Sequence, residues 1–233
     1  MPRFRFSLVL DFDSTLVQVE TLPLLAKLVL SNNPHKEEVL STLQEISAAC
    51  HRGELSITVF LKKFLELTSP ITKEHLTAFA SSLRPLITKS FLENQKFLHD
   101  YRDQIYVVSA NFSDVMVPVC TNLGLLEKHV YGNIVVFDET ATVIGFDEDN
   151  VLLYENGKRQ LIELLKLEHP IVVLGDGRTD LEIKSKGVAD IFCAFTENVR
   201  RELIVSKADY ECTTFDEFLS LAQKTSWFRN LNN

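Results

Sequence analysis

The chain has 233 residues, 45% hydrophobic and 24% charged, with 24 Lys+Arg against 32 Asp+Glu for a formal net charge of -8. That length buries a sizeable core, as one large domain or a core with an inserted subdomain, and without low-complexity tracts or internal repeats the composition is that of a folded protein rather than a disordered one. The acidic balance argues against a nucleic-acid or anionic-membrane surface, which needs a basic patch, so an anionic substrate here needs a local cation.

The first six residues, Met1 to Phe6, are basic but run straight into an apolar strand without a small-residue cleavage site, so no leader is expected. The strand Leu8-Val9-Leu10 ends in Asp11 and Asp13, followed by Ser14 and Thr15. Side chains alternate along a strand, so the two carboxylates leave it on one side, where they repel unless a cation or a proton intervenes. Taken alone, the pair also reads as a solvated turn.

From Thr21 to Leu83 strand character gives way to helical spacing: Val39, Leu43, Ile46 and Cys50 form one stripe, and Phe60, Phe64 and Leu67 another. Ser56 and Thr72 are placed as helix starts. The apolar run Leu22 to Leu30 is short and interrupted by Lys27, so no membrane span is expected.

From Thr88 onward helix and strand alternate, the pattern of a doubly wound parallel sheet covered on both faces, hence an α/β fold. Buried strands are expected at Ile105 to Ser109, Ile171 to Gly175 and Asp190 to Phe195, with a short antiparallel excursion at Ile134 to Phe137 and Thr142 to Phe146. Pro118 should bend the helix that begins at Ser113. The tail from Thr225, with Trp227 and Phe228, is read as peripheral. Cys50, Cys120, Cys193 and Cys212 are scattered, with no Cys-x-x-Cys pair, and read as reduced thiols of a cytoplasmic protein; the 6 histidines show no metal-ligand spacing. The sequon at Asn111-Phe112-Ser113 is discarded on the same ground.

Ligands of an open parallel sheet bind beyond the carboxyl ends of its strands. The polar clusters that end these strands, Asp11/Asp13, Ser109-Ala110-Asn111 and Gly175-Asp176-Gly177-Arg178-Thr179-Asp180, should therefore converge.

Those clusters carry a resemblance. Asp11-Phe12-Asp13-Ser14-Thr15-Leu16-Val17, then Ser109, then Lys158 within Asn156-Gly157-Lys158-Arg159, then Gly175-Asp176-Gly177-x-x-Asp180 resemble the four ordered motifs of haloacid dehalogenase (HAD) superfamily phosphatases. Glu20 and Gly145-Phe146-Asp147 are similar to the phosphoserine phosphatase branch. The resemblance implies an HAD-like Rossmannoid core from 1–17 and 84–225, a small inserted helical cap over 18–83 and a tail over 226–233.

It also implies a Mg2+-dependent phosphomonoesterase that hydrolyses a small phosphorylated metabolite through an aspartyl-phosphate, with phosphoserine the first candidate substrate. A phosphomonoester dianion resists attack until its charge is neutralised and the approach is in line. Asp11 is then the nucleophile and Asp13 the acid/base. Asp11, the backbone carbonyl of Asp13 and Asp176 are metal ligands, and Asp180 orients the outer shell or caps a helix. Lys158 balances charge around the phosphate. Ser109 and the amides of Ala110 and Asn111 take its oxygens. Glu20 receives a substrate ammonium or is a solvated helix start.

Two positions depart from that branch: Ala110-Asn111 stands for Gly-Gly, and Phe64 stands where a cap Arg is expected, leaving Lys62, Lys63 or Arg52 as substitutes. A phosphotransferase would share the same intermediate, and a phospho-acceptor signalling domain combines similar groups but lacks the cap insertion. Substrate identity, oligomeric state and pathway stay open at the level of sequence.

Overall fold

The structure, a computed structural model, describes residues 6–225. The tail with Trp227 and Phe228 lies outside the described residues.

Six parallel strands make the main sheet: β1 (Ser7–Leu10), β2 (Ile105–Phe112), β3 (Val130–Asn133), β6 (Ile171–Gly175), β7 (Ile191–Phe195) and β8 (Tyr210–Cys212), in the order β3-β2-β1-β6-β7-β8. A separate antiparallel pair, β4 (Val135–Phe137) with β5 (Val143–Phe146), is the excursion expected from the sequence. The sheet grows from β1 to one side through β2 and β3, then to the other through β6, β7 and β8. That reversal opens a crevice at the carboxyl end of β1, where an α/β sheet takes its ligands.

Both sheet faces are apolar because the strands alternate apolar residues with apolar residues. Leu8, Leu10, Val107, Val172 and Leu174 belong to one buried cluster, and Val9, Val108 and Val173 to the other. Helices cover both faces, among them α7 (Ser113–Asn122), α8 (Gly157–Leu165), α9 (Arg178–Ser185), the short α10 (Glu202–Val205) and α11 (Phe215–Lys224).

Between β1 and β2 the chain forms α1 (Thr21–Val29), α2 (Lys36–His51), α3 (Ile57–Thr68) and α4 (Lys73–Ser82), then the short α5 (Lys89–Glu93) and α6 (Gln95–Asp100). Ser56 accepts from the Val59 N–H and Thr72 from the His75 N–H, so both helix starts carry a side-chain cap. Leu43, Phe60 and Phe64 are buried in the same cluster as one face of the sheet. The insertion is therefore packed onto the sheet rather than built around a core of its own, and backbone bonds from Val143 N to Ile71 O at 2.8 Å and from Lys73 N to Ala141 O at 2.9 Å tie it to the β4–β5 pair.

One strand differs from its sequence reading. β2 does not stop at Ser109 but runs on to Phe112, with its register against β3 shifting between Val108 and Phe112. Gly132 permits this: a Cβ there would lie 2.7 Å from the Asn111 carbonyl oxygen, so only glycine lets β3 follow the irregular strand. Asn133 Nδ2 then donates to Ala110 O at 2.6 Å. Pro118 lies within α7 without ending it.

Candidate active site

Asp11 follows β1 directly, its N–H still bonded to Leu174 O at 3.0 Å. Its Oδ1 accepts from the Phe12 N–H at 2.7 Å and from Lys158 Nζ at 2.7 Å. Among the described residues Oδ2 meets no hydrogen-bond donor. The chain then turns irregularly over Phe12–Leu16, with Asp13 extended (φ -65, ψ 140) and Ser14 left-handed (φ 54). A left-handed serine is uncommon, and this one is held by Ser14 N to Val19 O at 3.1 Å and by Asn198 Nδ2 donating to Ser14 O at 3.1 Å.

The turn carries Asp13 away from Asp11 and against the start of α1. There its Oδ1 accepts from Thr21 N at 3.2 Å and Thr21 Oγ1 at 2.8 Å, taking up one of the amides a helix leaves unpaired at its first turn. Burial, and after it the charge of Glu20, push the Asp13 carboxyl well above the ordinary range against the pull of the Thr21 bonds. Glu20 accepts from Ser14 Oγ at 2.9 Å and from Arg201 Nη2 at 3.2 Å.

Beyond β6, Asp176 is buried and its Oδ2 accepts from Arg201 Nε at 2.8 Å. Burial and the neighbouring Asp11 raise its carboxyl to about 6. Asp180, in the first turn of α9, folds back: Oδ2 accepts from the Gly177 N–H at 3.1 Å and Oδ1 from Lys158 Nζ at 2.8 Å. The helix-capping contact and the charge contact thus fall on different oxygens of one carboxylate. A Cβ on Gly175 would lie 2.5 Å from Asp180 Cγ, so glycine is what admits Asp180 to this position.

Lys158 sits at the second residue of α8, an end of the helix that disfavours cations, and is only 8% exposed. Burial opposes its charge, yet Asp11 and Asp180 hold its pKa above the ordinary lysine value. Lys158 pairs with Asp11 and Asp180, and Arg201 with Asp176 and Glu20, so two cations stand among the carboxylates of Asp11, Asp13, Glu20, Asp176 and Asp180, a local surplus of negative charge. One oxygen each from Asp11, Asp176 and Asp180 lie within 4.8 Å of one another, and all three residues are buried. An all-oxygen donor set at that spacing, short of positive charge, fits a hard divalent cation.

Asp11, Asp13, Glu20, Lys158, Asp176 and Arg201 line one cavity of about 760 Å³, together with Ser109, Ala110 and Asn111 from β2 and with Leu22, Arg52 and Phe60 from the insertion. Ser109 is 4% exposed and its Oγ accepts from the Asn111 N–H at 3.3 Å. The side chain of Asn111, where the related branch has glycine, is turned onto Asp13, with Nδ2 donating to Oδ1 at 3.2 Å and Oδ2 at 3.1 Å. Phe64 does not line the cavity. It is 1% exposed, edge-on to Phe112 at 5.9 Å between ring centroids. Lys62 pairs with Glu148 at 3.2 Å on the surface, and neither it nor Lys63 reaches the cavity. Arg52 does line it, forked onto Glu54 at 2.7 and 2.8 Å.

Thr21 and Arg201 were not singled out from sequence. Arg201 had a usable signal, because it follows the carboxyl end of β7, the same side on which the other clusters lie. Thr21 had none beyond adjoining Glu20.

Comparison with known proteins bears on the whole chain. The family model for haloacid dehalogenase-like hydrolases matches residues 8–183. The phosphoserine phosphatase of Bos taurus is 27% identical over 217 residues, covering 92% of each chain. A phosphoserine phosphohydrolase-like protein from Francisella tularensis superposes with a TM-score of 0.79 at 24% identity, over 92% of this chain and 98% of that one. A phospho-aspartyl intermediate analogue of phosphoserine phosphatase superposes with a TM-score of 0.69 at 24% identity, over 94% and 99% of the two chains.

Proposed function

The chain belongs to the haloacid dehalogenase-like hydrolase family, and from that premise we propose that it is a divalent-cation-dependent phosphomonoesterase working through a phosphorylated Asp11. The observation that carries the reading is the arrangement around Asp11: one carboxylate oxygen is pinned by Lys158 and the Phe12 amide while the other meets no donor among the described residues. A nucleophile held in one orientation with a free oxygen is what in-line attack on phosphorus requires.

Asp11, the backbone carbonyl of Asp13 and Asp176 would hold Mg2+, with Asp180 supporting them; when bound, the ion neutralises phosphoryl charge and acts as a Lewis acid. Lys158 keeps its proton throughout and sets a fixed positive charge beside the transferring group. Asp13, whose carboxyl is raised well above the ordinary range by burial and after it by the charge of Glu20, would give its proton to the departing alkoxide. It then takes one from the water that attacks the aspartyl-phosphate, so the second step restores the first. Ser109 and the amides beyond it contribute to the phosphate pocket.

Phosphoserine is the first candidate substrate, supported by the relatives of that name across most of the chain. Arg52, at the cavity mouth, is the cation available for a substrate carboxylate, and Glu20 the carboxylate available for an ammonium. Free thiols at Cys50, Cys120, Cys193 and Cys212 support a cytoplasmic setting, and among the described residues no helix is long and apolar enough to cross a membrane.

The test is release of inorganic phosphate from a panel of small phosphomonoesters with Mg2+, phosphoserine included. Release that disappears in Asp11→Asn supports the reading, and no release from any ester sinks it. Analysis of the products with added alcohols separates hydrolysis from transfer.

A further inference from the structure

Asn111 closes a three-residue ring with Asp13 and Thr21. It is 2% exposed, and its Oδ1 accepts from the Phe112 N–H at 2.6 Å. A backbone N–H can only donate, so this contact fixes which way the carboxamide points: Nδ2 must face the opposite side. There it donates to both oxygens of Asp13, at 3.2 and 3.1 Å, and to Thr21 Oγ1, whose hydroxyl donates in turn to Asp13 Oδ1 at 2.8 Å.

The two oxygens of Asp13 are not equivalent in this ring. Among the described residues, Oδ1 meets Thr21 N, Thr21 Oγ1 and Asn111 Nδ2, all of them donors, whereas Oδ2 meets Asn111 Nδ2 alone. An oxygen crowded by donors has no place for a proton of its own. A carboxyl acting as an acid here must therefore carry its proton on Oδ2.

Resting on the phosphomonoesterase reading above, we propose that Asn111 is a positioning residue that, braced by the Phe112 amide, holds Asp13 so that Oδ2 is its acid/base oxygen. In the first half-reaction the Asp11 oxygen bonds to phosphorus as the bond to the ester oxygen breaks, and the Oδ2 proton passes to that oxygen, releasing an alcohol. In the second half-reaction water bonds to phosphorus, its proton returns to Oδ2, and the Asp11 oxygen leaves phosphorus as a carboxylate. A loose carboxyl would rotate away from the ester oxygen, and the first step would suffer most where the leaving alcohol is a poor one.

Asn111→Ser tests this, since serine keeps an acceptor for the Phe112 N–H but is too short to reach Asp13. With Mg2+ present, kcat/KM for an alkyl phosphate, which reads the steps up to release of the alcohol, should fall about 10- to 100-fold, the lower part of what acid catalysis contributes. For p-nitrophenyl phosphate, whose leaving group departs without a proton, kcat/KM should fall less than about 5-fold, while the later hydrolysis of the aspartyl-phosphate, common to both esters, does not enter this comparison. Thr21→Val, which removes the hydroxyl link and keeps the shape, should show the same leaving-group dependence to a smaller degree and carries the test should Asn111→Ser not fold. Equal losses on both esters, or no loss on either, overturn the inference while the phosphatase reading stands. A wild-type protein that releases phosphate from neither ester sinks that reading, and the inference with it.

Discussion

Lys158 Nζ lies 2.7 Å from Asp11 Oδ1, with the two side chains only 9% and 10% exposed. It touches Asp180 Oδ1 at 2.8 Å as well, so one ammonium compensates two buried carboxylates. Removing one partner of a buried pair leaves the others uncompensated, which costs about 3–5 kcal/mol. Lys158→Met should lower the unfolding free energy of metal-free protein by that order in urea denaturation. It should also cut phosphate release at least about 100-fold, because a fixed charge beside the transferring group is lost. A variant as stable and as active as wild type would deny Lys158 both roles.

The close approach of Gly175 to Asp180 gives a second test. A methyl at Gly175 would stand 2.5 Å from Asp180 Cγ, so Asp180 must shift, whereas a methyl at Gly145 meets nothing within 4 Å. Gly175→Ala should destabilise by about 1–3 kcal/mol through overpacking. Displacing a group that supports the metal ligands should weaken Mg2+ binding about 10- to 100-fold. Gly145→Ala, the control, should leave Mg2+ binding unchanged. Calorimetric titration of the metal into both variants reads the difference.

What was legible in the sequence follows from locality. Asp11, Asp176 and Lys158 each stand at a strand or helix end beside a break in apolar patterning, and the parallel-sheet rule sends those ends to one crevice. Asn111, Thr21 and Arg201 acquire their places through tertiary packing. The direction of the Asn111 amide depends on an irregular extension of β2 that Gly132 makes possible, and no periodicity announces that. Phe64 shows the converse: laid against a related family's cap helix it occupies the place of a cation, yet a ring on the apolar face of α3 is drawn into the core against Phe112. The apolar stripe of Phe60, Phe64 and Leu67 was readable, but what that stripe would pack against was not.

The surplus of buried carboxylates fixes a pH dependence for the metal-free protein. Asp176 rises from an ordinary 3.8 to about 6 on folding, so between those values the folded state binds more protons than the unfolded state. Stability then falls as pH rises through that window, by about 3 kcal/mol for this group alone. Asp13 and Asp180 are raised too and act in the same direction. In EDTA, Asp176→Asn should remove part of the loss between pH 4 and pH 7, seen as a smaller drop in urea midpoint than in wild type. Added Mg2+ should stabilise wild type more at pH 7 than at pH 5, where protons compete for its ligands, and should stabilise Asp176→Asn far less at either pH. Equal Mg2+ effects in the two proteins would remove Asp176 from the metal site.

The cavity separates Phe64, which stands where a cap Arg is expected, from Arg52, one of the three residues that sequence offered in its place. Phe64 is buried between Phe60 and Phe112, with ring centroids 6.4 and 5.9 Å away, so Phe64→Ala should cost about 3–5 kcal/mol of stability through the cavity it leaves. Its KM for phosphoserine should stay within about 3-fold of wild type at temperatures where the variant is folded, because the ring does not reach the substrate space. Arg52 is the opposite case. Its guanidinium is exposed and forked onto Glu54, a surface pair whose loss changes stability little. If that fork exchanges Glu54 for a substrate carboxylate, Arg52→Ala raises KM for phosphoserine about 10-fold or more, while KM for phosphoethanolamine, which lacks the carboxylate, does not move. Equal KM changes for the two esters would exclude Arg52 as the carboxylate ligand and turn the search to esters without that group.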